Sequence, residues 1–280
     1  NGSPLAVSTR TANEAAGTSS ATTFKYDRFG NLIGSSTDSV KKAEDGSSVN
    51  EHSENVYRMG PDGNPQLVSS TSNNPGANTG SSTSYQYDRY GNLVSSSTTS
   101  TKKDEKGNAF SETSTTEYKM GPNGSPLAVS TRTANEAAGT SSTTVFTYDN
   151  YGNLTKSVTD GTRKSAAGEV FREHSESTYR LGPDGSAQIV RTSTDIPDAG
   201  EHYDVDYSYD TFGNLTQSVT NFTKQFDGGS STYHKTITET FVMGPDGQPR
   251  STGKHEDQGC DGPACGGTPP DRFHERPEED

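Results

Sequence analysis

Asn1 to Ser20 and Asn123 to Ser142 carry the same twenty residues, NGSPLAVSTRTANEAAGTSS, 122 positions apart. A shorter period runs inside that one. FKYDRFGNL (Phe24 to Leu32) returns as YQYDRYGNL (Tyr85 to Leu93), FTYDNYGNL (Phe146 to Leu154) and YSYDTFGNL (Tyr207 to Leu215), each 61 residues after the last. A second phrase, YRMGPDGNP (Tyr57 to Pro65), returns as YKMGPNGSP (Tyr118 to Pro126), YRLGPDGSA (Tyr179 to Ala187) and FVMGPDGQP (Phe241 to Pro249), at steps of 61, 61 and 62. The two phrases interleave, so aromatic residues recur every 30 to 32 positions and each 61-residue unit is two related halves. Fixed periods of this size confine a chain to arrays in which each repeat packs on its neighbours. They predict repeat units at 1–61, 62–122, 123–183 and 184–246, followed by a Cys-containing, acidic, Pro-rich tail at 247–280.

Composition limits what such an array can bury. Hydrophobic residues make up 25% of the 280, there is no Trp, and Ser plus Thr exceed a quarter. So little apolar surface offsets ordering entropy poorly and by itself reads as disorder. The constant phase of the aromatics reads the other way, because a disordered repeat has no need to hold it. A net charge of −13 disfavours nucleic acid and anionic membrane as partners. No apolar run approaches the ~20 residues of a membrane-spanning helix. The first residue falls mid-repeat, where Asn123 is preceded by Met-Gly-Pro, so a longer parent with further repeats is expected.

Local patterns predict strands. LVSSSTTST (Leu93 to Thr101) and STSYQY (Ser82 to Tyr87) are rich in Thr, Val and Tyr. Phe24 with Tyr26, and Tyr85 with Tyr87, stand two apart and so share one face. TANEAAG (Thr11 to Gly17) is the best helical stretch and suits a single turn or loop. Asp27 at the first and Gly30 at the fourth position of a turn are a type I signature with a G1 bulge, repeated at Asp88 and Gly91, Asp149 and Gly152, and Asp210 and Gly213. Gly60-Pro61-Asp62-Gly63 is a second tight turn. The intervening loops vary: ANEAAG, SNNPGANTG and DIPDAGEH replace one another, as do KKAEDG, KKDEKG, RKSAAG and KQFDGG. Constant turns therefore alternate with variable loops. The expected fold is all-β: tandem hairpins in an elongated antiparallel ribbon or spiral, with strands of about ten residues and apolar side chains gathered beside the constant turns. A parallel β-solenoid with stacked tyrosines is the alternative. The predicted structural residues are Tyr26, Asp27, Gly30, Leu32, Tyr57, Gly60, Gly63, Tyr87, Asp88, Gly91, Tyr118, Tyr148, Asp149, Gly152, Tyr179, Tyr209, Asp210 and Gly213.

The Tyr-Asp-x-x-Gly-Asn-Leu phrase resembles the YD repeat of Rhs-type bacterial proteins, toxin-complex shells and teneurins, on about seven residues of each 61. The resemblance implies β-hairpins wound into a shell, which in the Rhs and toxin-complex proteins encloses a C-terminal toxin. The hairpin is what carries over, because the tail after the last unit is too short for a toxin domain.

No residue set points to catalysis, a cofactor or a metal. His52 and His174 sit in EHSE between carboxylates, without a Cys or second His beside them, and read as solvated strand residues. Asp27, Asp62, Asp88, Asp149, Asp184, Asp210 and Asp246 stand singly at turns, where a calcium loop needs several oxygen ligands in sequence. Cys260 and Cys265 have neither redox nor zinc spacing and suit a local disulfide, with a bond to another subunit as the second reading. Asn123, Asn153, Asn214 and Asn221 begin N-glycosylation sequons, and the Ser/Thr arms suit O-linked sugars. The expected role is structural: a secreted, self-assembling subunit of an extracellular filament, sheath or stalk, open to glycosylation, with itself as partner. The alternative is a cell-surface adhesin or YD-type shell segment whose variable loops bind glycans or receptors.

Overall fold

The computed structural model describes residues 4–13, 16–42, 46–76, 78–103, 107–165 and 168–266. The acidic end of the predicted tail and parts of the variable loops lie outside the described residues. The chain falls into two compact units, within Asn1–Gly139 and within Thr140–Asp280.

The first unit holds β1 (Ser8–Asn13), β2 (Thr18–Tyr26), β3 (Leu32–Lys42), β4 (Ser48–Met59), β5 (Pro65–Asn74), β6 (Thr79–Tyr87), β7 (Leu93–Lys103), β8 (Ala109–Met120) and β9 (Pro126–Asn135). Each pairs antiparallel with the next. The second unit holds β10 (Thr140–Tyr148), β11 (Leu154–Lys164), β12 (Val170–Leu181), β13 (Ala187–Ile196), β14 (Glu201–Tyr209), β15 (Leu215–Phe226), β16 (Ser231–Met243) and β17 (Pro249–Asp261). These are again joined antiparallel in sequence order. Antiparallel pairing throughout each unit excludes the parallel solenoid. Since direction alternates, the constant turns of a unit share one edge of its sheet and the variable loops share the other.

The turns follow from their residues. Gly30 N–H donates to Asp27 O at 3.1 Å and Asp27 N–H to Asn31 O at 2.9 Å, enclosing a three-residue loop. Gly30 has φ 88°, a left-handed conformation that glycine alone takes freely. The register shifts between Lys25 and Tyr26, so that Tyr26 faces Leu32. That is the G1-bulge hairpin. The Gly60–Gly63 turn closes the same way, with Gly63 N–H to Gly60 O at 3.1 Å and a register shift between Val56 and Tyr57.

Hydroxyl pairs stand where a globular sheet would carry apolar contacts. Thr22 and Thr37 share a hydrogen bond of 2.9 Å, Thr83 and Thr98 one of 2.9 Å, and Thr144 and Thr159 one of 2.8 Å, at equivalent positions of successive repeats. Thr116 with Thr131 and Ser177 with Thr192 repeat the motif on other strand pairs. Such cross-strand pairs contribute about 0.2–1 kcal/mol each. They supplement the backbone ladder in a sheet with few apolar residues, and they engage some of the hydroxyls that the composition offered to O-linked sugars.

The apolar centre differs from expectation. The tyrosines beside the constant turns are only half-buried. Among the described residues the buried hydrophobic ones are Ile196, Phe222 and Tyr233, near the variable-loop edge of the second unit. Phe222 lies between Tyr203 and Tyr233, with ring centroids 4.7 and 6.1 Å away. Glu201 is buried beside them, accepting from Lys224 Nζ at 2.9 Å and Tyr203 Oη at 3.1 Å. Side chains from four strands converge here because DIPDAG and QFDGG shape compact loops, with single 3-10 turns at Pro197–Ala199 and Asp227–Gly229.

Candidate functional site

The most regular constellation is the constant-turn edge. Asp27 Oδ1 accepts from the amides of Phe29 (2.8 Å) and Asn31 (2.9 Å), and Oδ2 from Asn31 Nδ2 (2.9 Å). Asp88 with Tyr90 and Asn92, Asp149 with Tyr151 and Asn153, and Asp210 with Phe212 and Asn214 reproduce the lock within 0.1 Å. Each aspartate is held below its ordinary carboxylate range. The Asn31 and Asn92 amides act most strongly on Asp27 and Asp88, and the Asn153 and Asn214 side chains on Asp149 and Asp210. Gly91, Gly152 and Gly213 close their turns onto Asp88, Asp149 and Asp210 as Gly30 does onto Asp27.

A second set joins adjacent hairpins. The β5–β6 ladder ends at Ser69–Ser84, short of the turns. Beyond it Tyr87 Oη donates to Leu67 O at 2.8 Å, and Gln66 Nε2 to Gly91 O at 2.9 Å. Arg58 stacks over the Tyr87 ring and donates to Gln66 Oε1 at 3.3 Å. The second unit repeats the clip with Tyr209 to Ile189 O, Gln188 to Gly213 O, and Arg180 over Tyr209. Tyr26 Oη reaches Ala6 O at 2.8 Å, while Tyr118 and Tyr179 pair with Ser96 and Ser157. Tyr57 faces Leu67 across its bulge, and Tyr148 faces Leu154. At Gly60 a Cβ would lie 2.8 Å from Asp62 Oδ1 and 2.9 Å from Gln66 Cδ, so a larger residue there would displace those two side chains.

Tyr87 and Tyr209 of the clip are among the residues predicted from the turn phrases, whereas the asparagine of each lock and the arginine and glutamine of each clip are not. Asn31, Asn92, Asn153 and Asn214 recur inside the quoted phrase. Arg58 with Gln66 and Arg180 with Gln188 recur at 122, so the longer period held the signal.

One side chain at each turn tip points out. Phe29, Tyr90, Tyr151 and Phe212 are 73%, 66%, 84% and 82% exposed, at strict 61-residue steps. Arg28 and Arg89 lie over the rings of Phe29 and Tyr90.

The histidines have partners the sequence reading did not name. Asp38 faces His52 across β3–β4, with Oδ1 2.6 Å from Nδ1, and Asp160 faces His174 across β11–β12 in the same way. Thr99 and Thr113 occupy the equivalent sites on β7–β8. Asp38, then Glu54, raises the His52 imidazole above its ordinary value. His202 lies between Asp195 and Asp204 and is raised too: burial works against its charge, and the two carboxylates outweigh it.

Cys260 and Cys265 form a disulfide across five residues. The loop it closes packs on β16, where a Cβ at Gly262 would meet Ser231 Cα at 2.7 Å. Of the sequon asparagines, Asn153 and Asn214 spend Nδ2 in the turn lock. Asn123 is exposed in a constant turn, its Oδ1 accepting from the Ser125 amide, and Asn221 is exposed on β15, accepting from Thr236.

Among the described residues no group of three His, Cys, Asp or Glu side chains is placed to hold a metal ion, and no helix is long and apolar enough to cross a membrane. An open depression of about 420 Å³ on β1–β4 is lined by polar side chains, including Thr11, Ser20, Thr37 and Glu51.

No family model and no curated protein matches the chain. Among solved structures, it is similar to a porin-like protein from Bacteroides uniformis at 13% identity and a TM-score of 0.32, over 87% of this chain and 90% of that one.

Proposed function

We propose that the chain is a structural protein, a repetitive hairpin scaffold that assembles outside the cell into a filament, sheath or stalk. The observation that carries this reading is what the repeated residues do. Asp, Gly and Asn lock each constant turn, and Arg, Gln and Tyr fasten one hairpin to the next. Conserving those residues from repeat to repeat maintains geometry and rise. The local disulfide suits an oxidising compartment. Electron microscopy and light scattering across a concentration series test the reading. Filaments or sheets that lengthen with concentration support it, and compact monomers throughout overturn it.

The exposed aromatics at the turn tips favour a second reading, an adhesive scaffold. Phe29 and Tyr90 in the first unit, and Tyr151 and Phe212 in the second, each offer an exposed ring at a constant turn, and single rings of this kind can stack on a sugar or a receptor side chain. Glycan or receptor binding through them predicts that replacing all four by Ala abolishes array binding while circular dichroism stays unchanged. Binding that survives the replacement excludes this reading.

A further inference from the structure

The first unit has two unlike faces. Residues opposite each other across a strand pair share a face, so the register sorts them. One row runs strand by strand from Phe24 on β2 to Thr133 on β9, and every residue between them is Ser, Thr or Asn. A second row, from Thr22 on β2 to Ser100 on β7, is Ser or Thr throughout. Tyr85 and Tyr118 lie on this same face, Tyr85 opposite Ser96 and Tyr118 bonded to it. The opposite face carries Lys25, Asp38, His52, Glu54, Glu117 and Arg132.

Exposure follows the same division. From Ser20 along β2 and from Ser81 along β6, half-buried residues alternate with exposed ones, and the half-buried set is the hydroxyl face. Among the described strand residues, the charges on that face lie toward the variable loops and pair with one another. Lys41 meets Glu51 at 2.5 Å and Lys102 meets Glu112 at 2.6 Å. The centre of the face is therefore uncharged and its rim pairs cancel.

A sheet ordinarily packs one of its faces on a second layer. The described strands of the first unit form one layer, each paired with its sequence neighbours. We propose that the hydroxyl face of the first unit is a stacking surface that takes the same face of a second copy across a two-fold axis. The inference goes beyond the filament reading and rests on it only for the choice of this chain as its own partner. Small side chains let two sheets approach to the usual separation of about 10 Å. Copies with a net charge of −13 repel one another, and that repulsion is least where a face's own charges cancel. The area also suffices. β2 to β9 span about 35 Å at about 4.8 Å per strand, and the rows and tyrosines extend about 20–25 Å along the strands, giving roughly 800 Å² per copy. A standard stable interface uses about that much from each partner.

The test uses the whole chain. Sedimentation velocity over a concentration series should show monomer giving way to dimer. Ser70 and Thr98 lie on the hydroxyl face, and their chain neighbours Thr71 and Thr99 on the other. Ser70→Lys with Thr98→Lys should raise the dimer dissociation constant about tenfold or more, whereas Thr71→Lys with Thr99→Lys should leave it within about twofold. A cysteine reports on the face without adding charge: Ser70→Cys should react with a maleimide more slowly as concentration rises, and Thr71→Cys should not. Monomer at every concentration, equal effects of the two lysine pairs, or protection of Ser70→Cys that ignores concentration overturns the proposal. So does a neutral glucan that protects Ser70→Cys while the chain stays monomeric. Dimers that form no fibres uphold the stacking surface and fail the filament reading. Fibres that persist in the Ser70→Lys, Thr98→Lys protein do the reverse.

Discussion

Gly63 and Gly91 occupy the same place in two constant turns, with φ of 80° and 91°. A methyl group at Gly63 meets nothing within 4 Å, so Gly63→Ala costs only the left-handed backbone penalty, about 1–2 kcal/mol. At Gly91 the same methyl meets Gln66 Nε2 at 2.8 Å and Pro61 Cδ at 3.0 Å. Gln66 can swing away at the loss of its hydrogen bond to Gly91 O, about 1 kcal/mol. The Pro61 ring cannot, and overpacking of this kind costs a further ~1–3 kcal/mol. Gly91→Ala should therefore destabilise the first unit by about 3–6 kcal/mol, at least about 2 kcal/mol beyond Gly63→Ala. Urea titrations followed by circular dichroism give both values. In a Gln66→Ala background the penalty at Gly91 should fall by about 1 kcal/mol, a coupling that a double-mutant cycle isolates. Gly185 and Gly213 offer the same comparison against Gln188 and Pro183 in the second unit. Equal destabilisation at Gly63 and Gly91, or no coupling to Gln66, would refute the claim that neighbouring hairpins are fastened at their turns.

Phe222→Ala removes the middle ring of the Tyr203–Phe222–Tyr233 cluster and should cost about 3–5 kcal/mol, read from the unfolding midpoint of the second unit. Replacing Cys260 and Cys265 by Ser opens a six-residue loop and should cost about 2 kcal/mol by the chain-entropy estimate, with no change in the first unit. Because Asp38 raises His52 above its ordinary 6.5, the stability this pair adds is fully present below that value and is lost as pH rises through the raised folded-state value. An NMR titration should show His52 titrating above 6.5, and Asp38→Asn should bring it back down; an unchanged titration would remove Asp38 as the cause.

The order of turns and loops was legible because each turn is made by its own residues. Asp27 and Gly30 need only their immediate neighbours to form a G1-bulge hairpin, so local spacing predicted it. Strand direction followed from the hairpins. The Asp–Asn lock was half-visible: aspartate and glycine have well-known turn preferences, whereas the role of Asn31 depends on a contact that closes only once the chain has bent. His52 read as solvated because its partner Asp38 lies fourteen residues away, across a strand pair whose register the pattern alone did not give.

The sequence by itself determined that this chain is a hairpin array, since period, turn chemistry and strand propensity are local properties repeated in phase. Tertiary structure decided what holds the array together. The Thr–Thr bridges, the Arg58–Gln66–Tyr87 clip and the burial of Phe222 between two tyrosines depend on which residues lie opposite each other across strands. Pairing register sets that, and a slip of one residue would turn each of these side chains to the other face. It also decided that one ten-residue sequence pairs with the strand before it in β9 and with the strand after it in β1, a difference of neighbours and not of residues.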